Sequence, residues 1–242
     1  MTRRLQKAST PLVIFVTFAT VTTTVVAFKP YGEDGHVGIV KEALSSITRT
    51  TSGGETLKFS AKAIDQIRDA TAFVDLVEFS VPLAHCDDEL LPECSQRIID
   101  IKTAVISLAV ARNGDEARAQ LGRALHTLQD FYSHSNWVNV PGPGNTSFNP
   151  VLGIGLVPRL RLVDATCTDD FSDGTLTSLG LTNTTTGYFG SVEPPPNKCV
   201  HGVLPGAGIN KDESGRPFFD QARARAVEGT TNFVNLILMH QA

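Results

Sequence analysis

From Glu33 to about Thr48, apolar Val37, Val40, Leu44 and Ile47 recur three or four residues apart. That spacing returns each side chain to one face of a helix and predicts a short amphipathic one. Ser52-Gly53-Gly54 breaks it. The same period returns over 60–79, where Ile64, Ile67, Ala70, Val74 and Val77 form the stripe and Ser60 can cap the first turn. Residues 92–114 read as a third helix, ended by Asn113-Gly114. Residues 115–134 follow at once as a fourth, with Asp115 and Glu116 where the helix dipole favours acids. Two long helices with so short a link are predicted to pack antiparallel. From Arg216 the pattern returns to helix, with Pro217 suited to its first turn. Between 141 and 217 no period persists, and Gly, Pro, Thr, Asn and Asp dominate. The expected fold is all-α: a helical bundle with a long irregular insertion before the last helix. A segment of that length without regular structure is often functional.

Composition narrows this picture. The 242 residues are 41% hydrophobic and 19% charged, which suits one globular domain and excludes wholesale disorder. Residues 1–27 stand apart: a basic start with Arg3, Arg4 and Lys7 precedes an apolar run that ends in small residues. Val25 and Ala27 suit the −3 and −1 positions of a signal peptidase site, so cleavage is expected between Ala27 and Phe28, with 28–242 as the mature single domain. An uncleaved membrane anchor is the alternative. Cleavage leaves 18 basic residues against 25 acidic ones, a formal charge of −7. Such a balance argues against stable binding to duplex nucleic acid. Export to a secreted or periplasmic location would let the four cysteines form two disulfides. Cys86–Cys94 and Cys167–Cys199 are the preferred pairs of three possible pairings, because each closes a local loop. The second would pin the irregular insertion.

The candidate chemistry lies in the fourth helix. His126, Asp130 and His134 are four residues apart, so they form one slowly drifting stripe. Such a stripe can be a metal site, an acid/base pair or a solvated face. The chain has only six histidines. His36 opens the first helix, His85 follows Asp75 by ten residues, and His201 lies beside Cys199. Neutral imidazole and carboxylate together suit a borderline ion such as zinc. Asp87 could orient His85 from behind, as metal-bound histidines commonly require. No dinucleotide or Walker glycine loop and no G-x-S-x-G elbow occurs.

The stretch ALHTLQDFYSHSNWV resembles the signature of the Het-C-like (heterokaryon incompatibility) proteins, which are akin to zinc-dependent phospholipases C and fungal zinc nucleases. AFKPYGEDGHVGIVKEAL, VDLVEFSVPLAHCDDE and CVHGVLPGAGINKD carry the resemblance across residues 27–212. The resemblance implies an all-α fold around two or three zinc ions. One ion would take Asp75, His85, His126 and Asp130. A second would share Asp130 with His36 and with the amine and carbonyl of Phe28, the expected mature first residue. A third would take His134, with His201 and Asp212 standing in for the H-x-x-x-E pair that this chain lacks. The implied function is a secreted zinc-dependent phosphoester hydrolase, phospholipase C-like or nuclease-like. Its nucleophile would be water whose pKa falls from about 15.7 toward 7 on zinc. Asp75 would serve as both ligand and base. Its partners would be a phospholipid or nucleotide substrate and, transiently, a membrane surface. The implied alternative is a non-catalytic Het-C-type recognition or cell-death protein with structural zinc.

Overall fold

The computed structural model describes residues 28, 31–139, 147–158, 163–167, 184–189, 194–202 and 208–239. The expected leader (1–27) and His240 lie outside the described residues. The elements run α1 (His36–Ser46), β1 (Thr48–Thr50), β2 (Thr56–Lys58), α2 (Ala61–Val77), a 3-10 turn (Pro82–Ala84), α3 (Leu91–Val110), α4 (Gly114–His134) and α5 (Phe219–Met239). The protein is all-α apart from the small hairpin, as the periodicity predicts. Among the described residues no helix is long and apolar enough to cross a membrane.

Helix α4 is the axis of the bundle. Helices α2, α3 and α5 all pack on it, and α1 lies against α2 and α5. Every residue of α4 from Ala124 to His134 is buried. A helix enclosed on all sides is usually apolar all round. This one carries His126, Gln129, Asp130, Ser133 and His134 inside as well, so its polar stripe is internal and the solvated-face alternative is excluded. Leu121, Leu125, Leu128 and Phe131 join the main apolar core, as their spacing predicts.

Helix α2 starts where the sequence places it: the Ser60 hydroxyl accepts the Ala63 amide at 3.2 Å. Its far end departs from expectation, because Val77 is 55% exposed together with Phe73 and Leu76. The buried face there includes Asp75. Val77 lies two residues further on, about 200° around the helix, so burial of the carboxylate turns the valine out.

Two features were not legible in the apolar period. The 48–58 stretch forms an antiparallel hairpin with Arg49 opposite Leu57, and Gly54 turns it at φ +82°. Helix α5 begins at Phe219 rather than Arg216, because Phe218 adopts φ +63°, outside helical space. In the 141–217 insertion the described residues form only isolated bridges, such as Ser135–Thr186 and Tyr188–Val200. Both preferred disulfides are present, Cys86–Cys94 and Cys167–Cys199. A buried ion pair also fastens the insertion: Lys198 Nζ lies 2.9 Å from Glu89 Oε2, and Thr185 donates its hydroxyl to Glu89 at 2.8 Å.

The approach of α4 to α2 depends on Gly122. A Cβ there would fall 2.6 Å from Ala70 Cβ, 2.7 Å from the Ile67 carbonyl oxygen and 2.8 Å from the Thr71 nitrogen. Two of those atoms are backbone and cannot swing aside. Gly122→Ala is expected to destabilise the fold by about 1–3 kcal/mol, the usual cost of overpacking. A urea midpoint equal to that of the unaltered chain would refute the claim that this contact sets the spacing of the helices.

Candidate metal centre

Four segments converge on the C-terminal half of α4. That helix supplies His126, Asp130 and His134. The first residue of α1 is His36, the last turns of α2 carry Asp75, and the loop after the 3-10 turn carries His85 and Asp87. The insertion adds His201 and Asp212. All nine side chains are buried.

Asp130 sits at the centre. Its Oδ2 lies 2.8 Å from His85 Nδ1 and 2.9 Å from His126 Nε2, and its Oδ1 lies 3.2 Å from His36 Nε2. Asp75 faces the same rings, with Oδ1 3.7 Å from His126 Nε2 and Oδ2 3.9 Å from His36 Nε2. A second group surrounds His134. Its Nδ1 is 3.0 Å from Asp87 Oδ1, and its Nε2 is 3.2 Å from Asp212 Oδ1 and 3.0 Å from His201 Nε2.

Each of the five histidines spends one ring nitrogen on an oxygen outside the carboxylate cluster. His36 Nδ1 donates to the Gln129 side chain at 2.8 Å and His126 Nδ1 to the Thr71 carbonyl at 3.0 Å. His85 Nε2 donates to the Glu78 carbonyl at 3.1 Å. His134 Nδ1 donates to the His85 carbonyl and His201 Nδ1 to the Gly202 carbonyl, both at 3.0 Å. These donations fix the tautomers and turn the remaining lone pairs inward. Two pairs of such nitrogens then face each other: His126 Nε2 with His85 Nδ1 at 3.1 Å, and His134 Nε2 with His201 Nε2 at 3.0 Å. Lone pairs at that distance repel unless a cation or a proton lies between them.

The electrostatics are correspondingly divided. Burial raises the Asp75 carboxyl to about 7. Burial also acts on Asp130, but the surrounding imidazoles, His126 and His36 foremost, outweigh it and hold that carboxyl well below its usual range. His36 is lowered by burial and raised more strongly by Asp130, and reaches about 9. His126 is taken down to about 3, chiefly by burial. In the second group, burial is outweighed at His134, which Asp87 and Asp212 raise, while His201 is lowered by burial and by its neighbour His134. Asp212 sits at about 2 because His134 overcomes its burial.

Several buried atoms have no hydrogen-bond partner among the described residues. At this site they are His36 Nε2, both Asp75 carboxylate oxygens, Asp87 Oδ1 and Asp130 Oδ1. Unpaired buried polar atoms are costly, so their concentration at one point calls for a ligand. Ligand atoms within 4.8 Å of one another form three sets: His36, His126 and Asp130; Asp75, His85 and His126; Asp87, His134 and His201. The donor chemistry and the orphaned atoms fit a transition-metal centre. A narrow opening reaches it between Phe79 and Phe189.

The sequence-predicted residues thus converge, with one change of detail. Asp130 lies between His36 on one oxygen and His85 and His126 on the other, the position in which it was expected to be shared. Asp87 was expected behind His85 but faces His134. The signal was an acid two residues after a candidate ligand, and Cys86 between them, at φ 54°, redirects the chain. Phe28 is also at the site: its backbone nitrogen donates to Asp212 Oδ1 at 3.2 Å, and its ring lies edge-on to His36 at 5.7 Å.

Comparison with known proteins places this geometry in a different lineage from the one its motifs resemble. The family model described as VWA7 N-terminal domain matches residues 39–242. Human von Willebrand factor A domain-containing protein 7 is 37% identical over 183 residues, 68% of this chain and 20% of the human protein. The rat protein of the same name is 36% identical over 187 residues, 69% of this chain and 20% of its own length. The chain therefore spans about one fifth of these relatives. No solved structure matches it. These matches overturn the Het-C-like and phospholipase C-like assignment. They equally remove the zinc phosphoester hydrolase function and the Het-C recognition alternative that rested on the same assignment. The physical reason is that H-x-x-x-D-x-x-x-H specifies a buried ligand stripe on a helix. It specifies neither ancestry nor a reaction, and the missing H-x-x-x-E pair already separated this chain from the phospholipases.

Proposed function

The chain belongs to the VWA7 N-terminal domain family, and from that premise we propose that it is a metal-binding helical module holding two or three zinc ions. His36, Asp75, His85, His126 and Asp130 hold the first group. Asp87, His134, His201 and Asp212 hold the second. The observation that carries the reading is the two pairs of facing imidazole nitrogens, at 3.1 and 3.0 Å, each ring locked by a donation from its other nitrogen. Metal-ligating histidines are oriented in this way, and imidazole with carboxylate suits zinc.

Bound there, zinc supplies positive charge to four buried carboxylates and a crosslink between segments remote in sequence. Ligands that meet only in the folded chain make the binding free energy part of the folding free energy. The module is accordingly a metal-stabilised unit. Export is part of the same proposal, supported by the two disulfides and by the expected leader. Cleavage after Ala27 would place the Phe28 amine beside Asp212, so the proposal includes that amine among the ligands.

Elemental analysis of the secreted chain is expected to give two or three zinc ions per molecule, and a strong chelator is expected to lower the melting temperature. No bound metal, with melting unaffected by chelator, would overturn the proposal. His126→Ala should cause loss of metal together with loss of stability. Retention of both would exclude His126 as a ligand. A single extra residue before Phe28 should reduce the stoichiometry by one ion, and an unchanged count would remove the Phe28 amine from the ligand set.

A further inference from the structure

Helix α5 supplies no ligand to the proposed metal groups, yet it reaches one ligand through two buried side chains. It packs along α4 and α1. Gly229 allows the approach to α4: a Cβ there would lie 2.7 Å from the Tyr132 hydroxyl and 3.0 Å from its ring. The next residue, Thr230, faces Gln129 of α4, and its hydroxyl accepts the Gln129 side-chain N–H at 3.2 Å. The other end of that amide, Gln129 Oε1, accepts His36 Nδ1 at 2.8 Å. None of the three residues has exposed surface.

The order of these groups decides which nitrogen of His36 carries its proton. Nε2 faces Asp130 Oδ1 at 3.2 Å and Asp75 Oδ2 at 3.9 Å, so it is the nitrogen turned toward the centre. It can offer a lone pair to an ion only when the proton sits on Nδ1, and a buried N–H needs an acceptor. A glutamine amide has one accepting end and one donating end. With its oxygen toward His36 it holds the proton on Nδ1. Turned end for end, it would present an N–H to Nδ1, move the proton to Nε2 and point it into the place of the ion. Thr230 takes the amide N–H and so favours the first orientation. Were the amide there only to fill the interface between α4 and α5, either orientation would serve.

We propose that Gln129 and Thr230 are positioning residues of the metal centre. Gln129 fixes the His36 proton on Nδ1, and Thr230 fixes the amide of Gln129. Helix α5 thereby sets the affinity of the ion that His36 holds. The assignment rests on the metal reading above.

The test is titration of zinc into the metal-free mature chain against a competing chelator, with nitrogen-15 correlation spectra of the imidazoles to locate the His36 proton. Gln129→Leu has no acceptor and is expected to lose about 10–100-fold in affinity for one ion. Gln129→Glu keeps an acceptor and is expected to bind that ion at least as tightly as the unaltered chain. Its metal-free form should nevertheless melt lower, because an added carboxylate is buried. Thr230→Val is expected to weaken the same ion by about tenfold, the low end of that range, and Thr230→Ser to restore it. In the zinc-loaded unaltered chain His36 should be protonated on Nδ1. Affinities that simply followed the melting temperatures of the metal-free variants, with Gln129→Glu the weakest, would overturn the assignment and leave both residues structural. Undiminished binding by Gln129→Leu would overturn it as well. Should that variant not fold, equal affinities of Thr230→Val and Thr230→Ser would do so. A proton on His36 Nε2 in the loaded chain would have the same force. Absence of bound zinc from the unaltered chain would instead refute the metal reading itself, and the assignment with it.

Discussion

Asp130 is a carboxylate with no exposed surface, set in the most enclosed helix of the protein. An isolated ionised carboxylate cannot persist in such a place, since desolvation would neutralise it or unfold the chain around it. The architecture answers this constraint from several directions. His126 comes from the same helix, His36 from the start of α1 and His85 from the loop before α3, all within 3.2 Å of one carboxylate oxygen or the other. The path of the chain between α1 and α4 is therefore tied to a single side chain. So is the burial of Asp75, which turns Val77 and Leu76 to solvent at the end of α2.

The legible part of the fold was the part governed by helical period. The apolar stripes of α1 to α4 locate their helices to within a few residues. Ser60 marks the start of α2, and the Asn113-Gly114 link marks the junction of α3 and α4. The hairpin was illegible because its strands are three residues long and lie next to a glycine break. Thr48, Arg49 and Thr50 carry too short an alternation to register as a strand. At the site, residues on one helix could be grouped by arithmetic, and His126, Asp130 and His134 do share a stripe. Asp87 could not be placed in that way. Its direction depends on a left-handed residue in a loop, which no periodicity encodes. The family was illegible for a related reason: a ligand stripe reports local geometry, and different lineages can use the same geometry.

The insertion illustrates how irregular chain can be held without secondary structure. Its described residues contribute His201 and Asp212 to the site, yet they form no helix and no extended strand. Their positions are set by the Cys167–Cys199 link, by the Lys198–Glu89 pair and by backbone bonds such as His201 N to the Tyr188 carbonyl at 2.8 Å. Lys211 adds a further tie. Its buried ammonium donates to the carbonyls of Ser135 and Ile209, both at 2.8 Å. One of these carbonyls belongs to the residue that ends α4, where the helix dipole is negative and a cation is favoured. The residue next to Asp212 thereby anchors the insertion to the helix that carries the opposing ligands.

The loop from His85 to Glu89 carries the greatest local strain. Cys86, Asp88 and Glu89 all adopt positive φ, at 54°, 58° and 58°. For residues with a Cβ this costs about 1–3 kcal/mol each, and it persists only where the surroundings over-determine it. Here they do. Cys86 is bonded to Cys94 on α3, Glu89 is paired with Lys198, and the Asp88 carboxylate accepts the Phe189 amide at 2.9 Å. Each strained residue is thus held by its own tether, and the two residues between and beside them, His85 and Asp87, are aimed at opposite groups of the site. A relaxed loop would let both side chains turn toward the solvent at the narrow opening beside Phe79. The strain and the tethers together keep an imidazole and a carboxylate, two residues apart, facing the two halves of one buried centre.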